Sequence, residues 1–239
     1  MQPYNTTQLN TDTIMERHVF HRDQFAHYLR WTHVLNRATL NAKILDFGCG
    51  SGNLYEVFFR NLKMPERYLG LDVRKQTINK NKEKFPRAEF QTQDLVGDFD
   101  FGQDWDFITS FETLEHVGRA NISKFLDNIL KHCGKDTEVL LSTPCYDPVV
   151  GPADNHVING VIGEFTYDEL KIELEGRFTI EAVYGTFCSQ KDVKPVLTPA
   201  EREVFDKLHD YYDPNLVSVI FAPLHPEQSR NCIWRLKKL

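Results

Sequence analysis

Short apolar runs alternate with amphipathic stretches along most of this chain, and that alternation restricts the folds open to it. The apolar runs have strand length, and the amphipathic stretches between them have helical periodicity. The predicted elements are strands 42–48, 67–72, 88–93, 105–112 and 137–144 and helices 53–62, 75–85, 121–133 and 166–176. Crossovers that contain a helix join parallel strands. The pattern therefore predicts an α/β fold with a mostly parallel sheet.

Both ends of the chain add elements to this sheet. Residues 1–40 contain helical patterns and are predicted to form a helical cap over it. Two further strands, 178–185 and 231–238, flank an insert at 186–230 that is rich in proline and aromatic residues and carries one clear helical pattern. An insert of this length on a compact sheet usually forms a substrate wall or a lid. We expect all 239 residues to form a single domain.

Charge and hydropathy argue against nucleic acid and membranes as binding partners of this chain. The formal net charge is −6, whereas a large nucleic-acid footprint needs clustered lysine and arginine. A small molecule or a nucleotide is the expected substrate. The sequence contains no 18-residue apolar run and no signal-peptide pattern at its start, so we expect a cytoplasmic protein without a membrane span. It contains no indication of an oligomeric state.

The cysteines and the N-terminal histidines of this sequence do not have the spacing of a structural metal site. The five cysteines are widely spaced and include no C-x-x-C pair, which favours free thiols over disulfides or a zinc site. Four histidines of the N-terminal segment are expected on a helix face rather than at a metal. They are His18, His21, His27 and His33.

A glycine-rich turn follows the first predicted strand in ILDFGCGSGNL, with glycines at 48, 50 and 52. Glycine allows positive φ and close approach of a ligand, and the following helix offers free N–H groups. Asp72 ends the second strand, where an acidic side chain can bind ribose hydroxyls. The spacing is G-x-G-x-G, and Asp46 would repel a pyrophosphate. A cationic cofactor is therefore favoured over a dinucleotide.

These residues resemble the class I S-adenosylmethionine-dependent methyltransferases over roughly residues 40–185. The resemblance implies a Rossmann-like sheet of seven strands, mostly parallel with an antiparallel last strand, with helices on both faces. It implies that the cofactor is S-adenosylmethionine, with Asp72 on its ribose and Asp94 on its adenine amino group, where Leu95 packs nearby. The methionine and ribose part would be lined by Asp46, Gly48, Gly50 and Gly52.

A second motif, SFETLEHVG at 110–118, follows the fourth strand. Glu115 and His116 lie three and four residues after Glu112, so a helical turn would bring the three side chains together. The E-x-x-E-H spacing resembles the metal-dependent O-methyltransferases of two types, those that modify the terminal 2′-hydroxyl of small RNAs and those of ubiquinone biosynthesis. The resemblance implies a divalent metal, Mn²⁺, Mg²⁺ or Zn²⁺, held by these residues and His156.

The region around His156 departs from the small-RNA pattern. Extra residues separate His156 from the E-F-T helix start, Cys145 stands where asparagine is usual, and no RNA-binding domain is attached. These departures favour a small substrate, such as a hydroxyl compound or vicinal diol, over RNA.

Alternatives to this hypothesis stay open. A metal-free enzyme could use His116 or His156 as the general base for N- or O-methylation, because imidazole titrates near neutral pH. The E-x-x-E-H stretch could also serve only local packing. A non-enzymatic binding domain could keep the fold, although the intact glycines and Asp72 argue against it.

Overall fold

A computed structural model describes residues 22–152, 156–158, 161–212 and 214–239. The strands are β1 Lys43–Phe47, β2 Arg67–Asp72, β3 Glu89–Thr92, β4 Phe107–Phe111, β5 Glu138–Pro144, β6 Val157–Ile158, β7 Val161–Ile162, β8 Phe178–Cys188 and β9 Ser229–Lys238. The helices are α1 Arg22–Arg37, α2 Asn53–Arg60, α3 Lys75–Lys84, α4 Leu114–Val117, α5 Ile122–His132, α6 Tyr167–Glu175, α7 Gln190–Val193, α8 Pro199–His209 and α9 Pro214–Phe221.

Seven strands form one sheet in the order β3-β2-β1-β4-β5-β9-β8, and β6 and β7 form a separate hairpin. The first five strands pair in parallel, and β9 runs antiparallel to both β5 and β8. The predicted α/β class and the antiparallel last strand are therefore confirmed. Because parallel strands end at the same edge, the turns after β1, β2 and β4 meet there.

Two apolar cores cover the two faces of the sheet. Successive strand residues point to opposite faces, so Ile44 packs with Val34 of α1 and Phe58 of α2. Leu45 packs on the other face with Phe125 of α5 and other buried side chains. Helices thus lie on both faces, as predicted.

The insert builds a third, smaller core. Residues of α7, α8 and α9 bury Val193, Phe205 and Val217 against one another. The sequence predicted one helix here, whereas the structure has three. The apolar segment of α9 is too short to show its periodicity, and α7 is a single turn.

The N-terminal helical prediction holds where the structure describes it. Helix α1 begins at Arg22, and His18 and His21 lie outside the described residues. His27 stacks on Trp31 and His33 packs on Tyr184, as expected for a helix face against the fold. All five cysteines are free and buried. Among the described residues, no helix combines the length and apolarity needed to cross a membrane.

Candidate active site

The glycine-rich turn adopts the backbone that its sequence predicts. Gly48, Gly50 and Gly52 all have positive φ, at 81°, 51° and 75°. Other L-residues rarely adopt this region. Gly48 is also required by packing, because a Cβ there would lie 2.1 Å from Thr113 Oγ1. The turn therefore brings the end of β1 close to the turn after β4.

Asp72 lies beside this turn with its carboxylate saturated by hydrogen bonds. Gly50 N donates to Oδ2 at 3.0 Å. Arg74 donates from its backbone N and its Nε to Oδ1, both at 2.9 Å, and from Nη2 to Oδ2 at 3.0 Å. Burial raises the pKa of Asp72, but these bonds outweigh it and leave the pKa below its usual value. A ribose that binds here has to replace Arg74.

A cavity of about 550 Å³ opens along the carboxyl edge of β1, β2 and β4. Four of the predicted cofactor residues line it, namely Gly48, Asp72, Asp94 and Leu95. Asp94 Oδ1 accepts from Val96 N at 3.1 Å, which shapes the loop after β3. The other three predicted cofactor residues, Gly50, Gly52 and Asp46, do not line this cavity.

Asp46 points into the fold. Its carboxylate accepts hydrogen bonds from the Tyr68 hydroxyl and from Thr109 Oγ1, the latter at 2.8 Å. Burial raises its pKa to about 6, although both hydrogen bonds act in the opposite direction. The structure therefore brings Asp46 to the neighbouring strands, and its predicted place beside the methionine and ribose part of the cofactor stays a prediction.

Three of the four predicted metal ligands converge. One ligand atom from each of Glu115, His116 and His156 lies within 4.8 Å of the others. Glu115 is 1% exposed, and Thr143 Oγ1 donates to its Oε2 at 2.9 Å. Burial, and then the nearby Glu112 charge, raise the pKa of Glu115 well above its usual value. Burial, and then His156, lower the pKa of His116.

Glu112, the fourth predicted ligand, lies apart from this cluster. Its Oε1 is 3.1 Å from Arg30 Nη2, and it accepts from Asn231 Nδ2 and from Ser142 Oγ at 2.9 Å. Burial raises the pKa of Glu112, but Arg30, Asn231, His27 and Ser142 together outweigh it, and the net shift is downward. Its φ of 53° is unusual for a residue with a Cβ, and such strain is concentrated at functional sites.

A second cavity, of about 680 Å³, adjoins the first. Glu112 lines both cavities, His116 lines the first and His156 lines the second. The ring centroids of His116 and His156 are 5.2 Å apart. His116 and His156 therefore bring the cluster to the junction of the two cavities, and Glu115 is buried beside them without lining either cavity. Walls of the second cavity come from α1, from the loop after β5 and from both ends of the insert.

A family profile described as a methyltransferase domain matches residues 19–178, more than half of the 239 residues. The chain belongs to this family. It is a class I methyltransferase that uses S-adenosylmethionine, as the glycine turn and Asp72 imply. No protein of curated function matches the methyltransferase in sequence.

Solved structures share the fold of the methyltransferase. A TehB-like S-adenosylmethionine-dependent methyltransferase from Corynebacterium glutamicum is 18% identical, with a TM-score of 0.59 over 88% of this chain and 87% of that one. The N-methyltransferase NodS from Bradyrhizobium japonicum, bound to S-adenosyl-L-homocysteine, is 13% identical, with a TM-score of 0.56 over 91% and 86%.

A polyketide-synthase O-methyltransferase from Brevibacillus brevis, also bound to S-adenosyl-L-homocysteine, is 19% identical, with a TM-score of 0.57 over 98% of this chain and 77% of that one. Both N- and O-methyltransferases are thus similar to this chain. At such identities the likeness shows the fold and leaves the acceptor atom open.

The first cavity fits the cofactor by its own chemistry. The left-handed glycine Gly48 brings backbone to its edge, and its lining includes the carboxylates of Asp94 and of Asp72, the latter able to accept from a ribose once Arg74 is replaced. S-adenosylmethionine supplies, when bound, a methyl group on a positively charged sulfur. The chain's own part is to bind and orient the two reactants, which is a large share of such a rate enhancement.

Several residues of the site carried no sequence signal. Glu164 contacts His156 from eight positions along the chain, whereas Arg30 and Asn231 contact Glu112 from distant parts of it. Arg30 precedes Glu112 by 82 positions, and Asn231 follows it by 119. Only the fold brings them together, so no local spacing could have identified them.

Proposed function

We propose that this methyltransferase transfers a methyl group to a hydroxyl oxygen, with a divalent metal held by Glu115, His116 and His156. The acceptor is a small molecule or nucleotide that carries a vicinal diol. The observation that supports this is the position of the three side chains at the junction of the two cavities. An acceptor in the second cavity would meet the cofactor there.

The donor set suits a divalent cation. One carboxylate and two imidazoles match Mn²⁺ and Zn²⁺ well, whereas Mg²⁺ prefers oxygen ligands. Glu115 is buried, and removal of a carboxylate from water is costly without a compensating charge. When bound, a metal lowers the pKa of a hydroxyl it contacts. Glu112 stays the predicted fourth ligand, and joining the cluster requires it to leave Arg30 and Asn231.

A second candidate is metal-free methylation of oxygen or nitrogen. The contact that favours it joins His156 Nδ1 to Glu164 Oε1, since a carboxylate behind a histidine is how general bases are commonly oriented. His156 or His116 would then take the acceptor's proton. Family membership and the cofactor cavity argue against a non-enzymatic binding domain.

Calorimetric titration of the metal-stripped protein tests the proposal. S-adenosyl-L-homocysteine should bind first, and Mn²⁺ should then bind more tightly than Mg²⁺. Glu115→Gln and His116→Ala should lose metal and keep the cofactor product, whereas Glu203→Gln, an exposed glutamate of α8, should keep both. Cofactor binding without metal binding would favour the metal-free candidate.

Measurements of methyl transfer provide a second test of the proposal. A catechol or ribonucleoside should be methylated in the presence of Mn²⁺, and a single hydroxyl of similar size should react more slowly because it cannot chelate. Equal rates with and without chelator would remove the metal from the proposal.

A further inference from the structure

We infer that Glu164 is a positioning residue that fixes the tautomer and ring orientation of His156. The inference rests on the proposed function, in which His156 acts at the junction as a metal ligand or as a base. Glu164 lies between β7 and α6 and is 3% exposed.

The contact itself is direct. Glu164 Oε1 lies against His156 Nδ1, and the two side chains are 4% and 13% exposed. A neutral imidazole has one N–H, and a carboxylate can only accept. Nδ1 therefore carries the hydrogen and donates it to Glu164. Nε2 is left with its lone pair, and a ring nitrogen of His156 lies within 4.8 Å of the ligand atoms of Glu115 and His116.

Arg119 fixes the backbone of Glu164. Its Nε and Nη2 donate to the Glu164 carbonyl oxygen at 3.0 and 2.6 Å. Its Nη2 also lies 2.8 Å from Glu169 Oε2, and its guanidinium stacks 4.4 Å from the Phe165 ring centroid. Arg119 comes three residues after His116, so its side chain links the segment that carries His116 to the segment that carries Glu164.

The consequence is that His156 is held by Glu164, which is itself held by Arg119. Partners of this kind orient a ligand and raise its basicity, and their loss typically weakens metal binding about 10- to 100-fold. A base would be oriented in the same way, so the role of Glu164 does not depend on which chemistry His156 performs.

Nuclear magnetic resonance of protein with ¹⁵N-labelled histidine, recorded without metal at pH 8, tests the tautomer. Loss of one spin system in His156→Asn assigns the ring. In the unmutated protein, His156 should show Nδ1 protonated and Nε2 unprotonated. Glu164→Ala should shift the ring towards a mixture of tautomers, and Glu164→Gln, whose carbonyl can still accept, should restore it. A protonated Nε2 in the unmutated protein overturns the inference.

Metal titration separates this inference from the proposed function. Glu164→Ala should weaken Mn²⁺ binding about 10- to 100-fold and Glu164→Gln less. Both should leave S-adenosyl-L-homocysteine binding unchanged, and Glu175→Ala, an exposed glutamate at the end of α6, should change neither. Unchanged metal affinity and tautomer in Glu164→Ala would overturn the positioning role alone. If His156 keeps the expected tautomer in a protein that binds no metal, the metal site of the proposed function is overturned and the positioning role of Glu164 is not.

Discussion

Arg30 of α1 forms an ion pair with Glu112 at the end of β4, with 3.1 Å between Nη2 and Oε1. The arginine side chain is 2% exposed and that of Glu112 is 26% exposed. His27 Nδ1 lies 3.0 Å from Arg30 Nη1. The pair thus attaches the N-terminal helix to the turn that carries the candidate site, and it holds Glu112 away from Glu115.

The first prediction concerns the contribution of this ion pair to the stability of the folded protein. Arg30→Met leaves a half-buried carboxylate without its cation, and it should lower the free energy of unfolding by about 2 to 3 kcal/mol, somewhat less than for a fully buried pair. Arg30→Met combined with Glu112→Gln should lose less, because no unpaired charge remains. Urea unfolding at pH 7 measures both. A double variant as unstable as the sum of the singles would contradict this coupling.

The second prediction concerns cofactor affinity. Asp72→Ala should weaken S-adenosyl-L-homocysteine binding by more than about 10-fold, because hydrogen bonds to a charged group are lost. Arg74→Ala should tighten it, by at most about fivefold, because the ribose no longer has to displace an arginine and exposed ion pairs contribute only about 0–1 kcal/mol. The Arg74 side chain is 62% exposed. Calorimetry measures both, and weaker binding in Arg74→Ala would mean that Arg74 itself holds the cofactor.

Local patterns in the sequence predicted the sheet and the cofactor cavity. Strand and helix periods are local, and so is the capping box that Thr166 and Glu169 form at the start of α6. The glycine-rich turn could be predicted in the same way, because glycine is the residue that adopts positive φ readily, and Gly48, Gly50 and Gly52 all do so. Three of four proposed ligands converge because strand ends of a parallel sheet meet at one edge.

Long-range pairing accounts for what the sequence did not predict. Glu112 is held by Arg30 and Asn231, which come from opposite ends of the chain. Asp46 is held by Tyr68 and Thr109 on the two strands beside β1. Both motifs can be recognised in the sequence, but the direction in which a carboxylate points depends on neighbours that only the folded sheet supplies.

The third prediction is a pH dependence of stability that comes from Asp46. Its pKa is about 6 in the folded protein and 3.8 ordinarily, so the protonated form is favoured by folding. Its stabilising contribution is complete below pH 4 and is lost as pH rises through 6. The difference of about two units between the two pKa values corresponds to roughly 3 kcal/mol of folding free energy.

Unfolding titrations from pH 4 to 8 check this. Asp46→Asn should gain stability relative to the unmutated protein as pH rises, by up to roughly 3 kcal/mol. Asp136→Asn, at an exposed position, should follow the unmutated protein throughout. A constant difference between Asp46→Asn and the unmutated protein would place the Asp46 pKa at its ordinary value.

The fourth prediction uses Gly163, which precedes Glu164. A Cβ at Gly163 would lie 2.0 Å from the Glu115 carbonyl oxygen and 3.0 Å from that of His156. Gly163 N also donates to the His156 carbonyl at 2.7 Å. Gly163→Ala should therefore push the His156 segment away from Glu115, and it should weaken Mn²⁺ binding at least about 10-fold, as loss of an orienting contact does.

Gly163 does not line the cofactor cavity. Binding of S-adenosyl-L-homocysteine by Gly163→Ala should therefore stay unchanged. Gly176→Ala is the matched control, because a Cβ at Gly176 would come no closer than 3.8 Å to a neighbouring atom, and its φ of −69° suits alanine. If both variants bound Mn²⁺ like the unmutated protein, the approach of this segment to Glu115 would be unnecessary for the metal, and His156 would be better explained as a base.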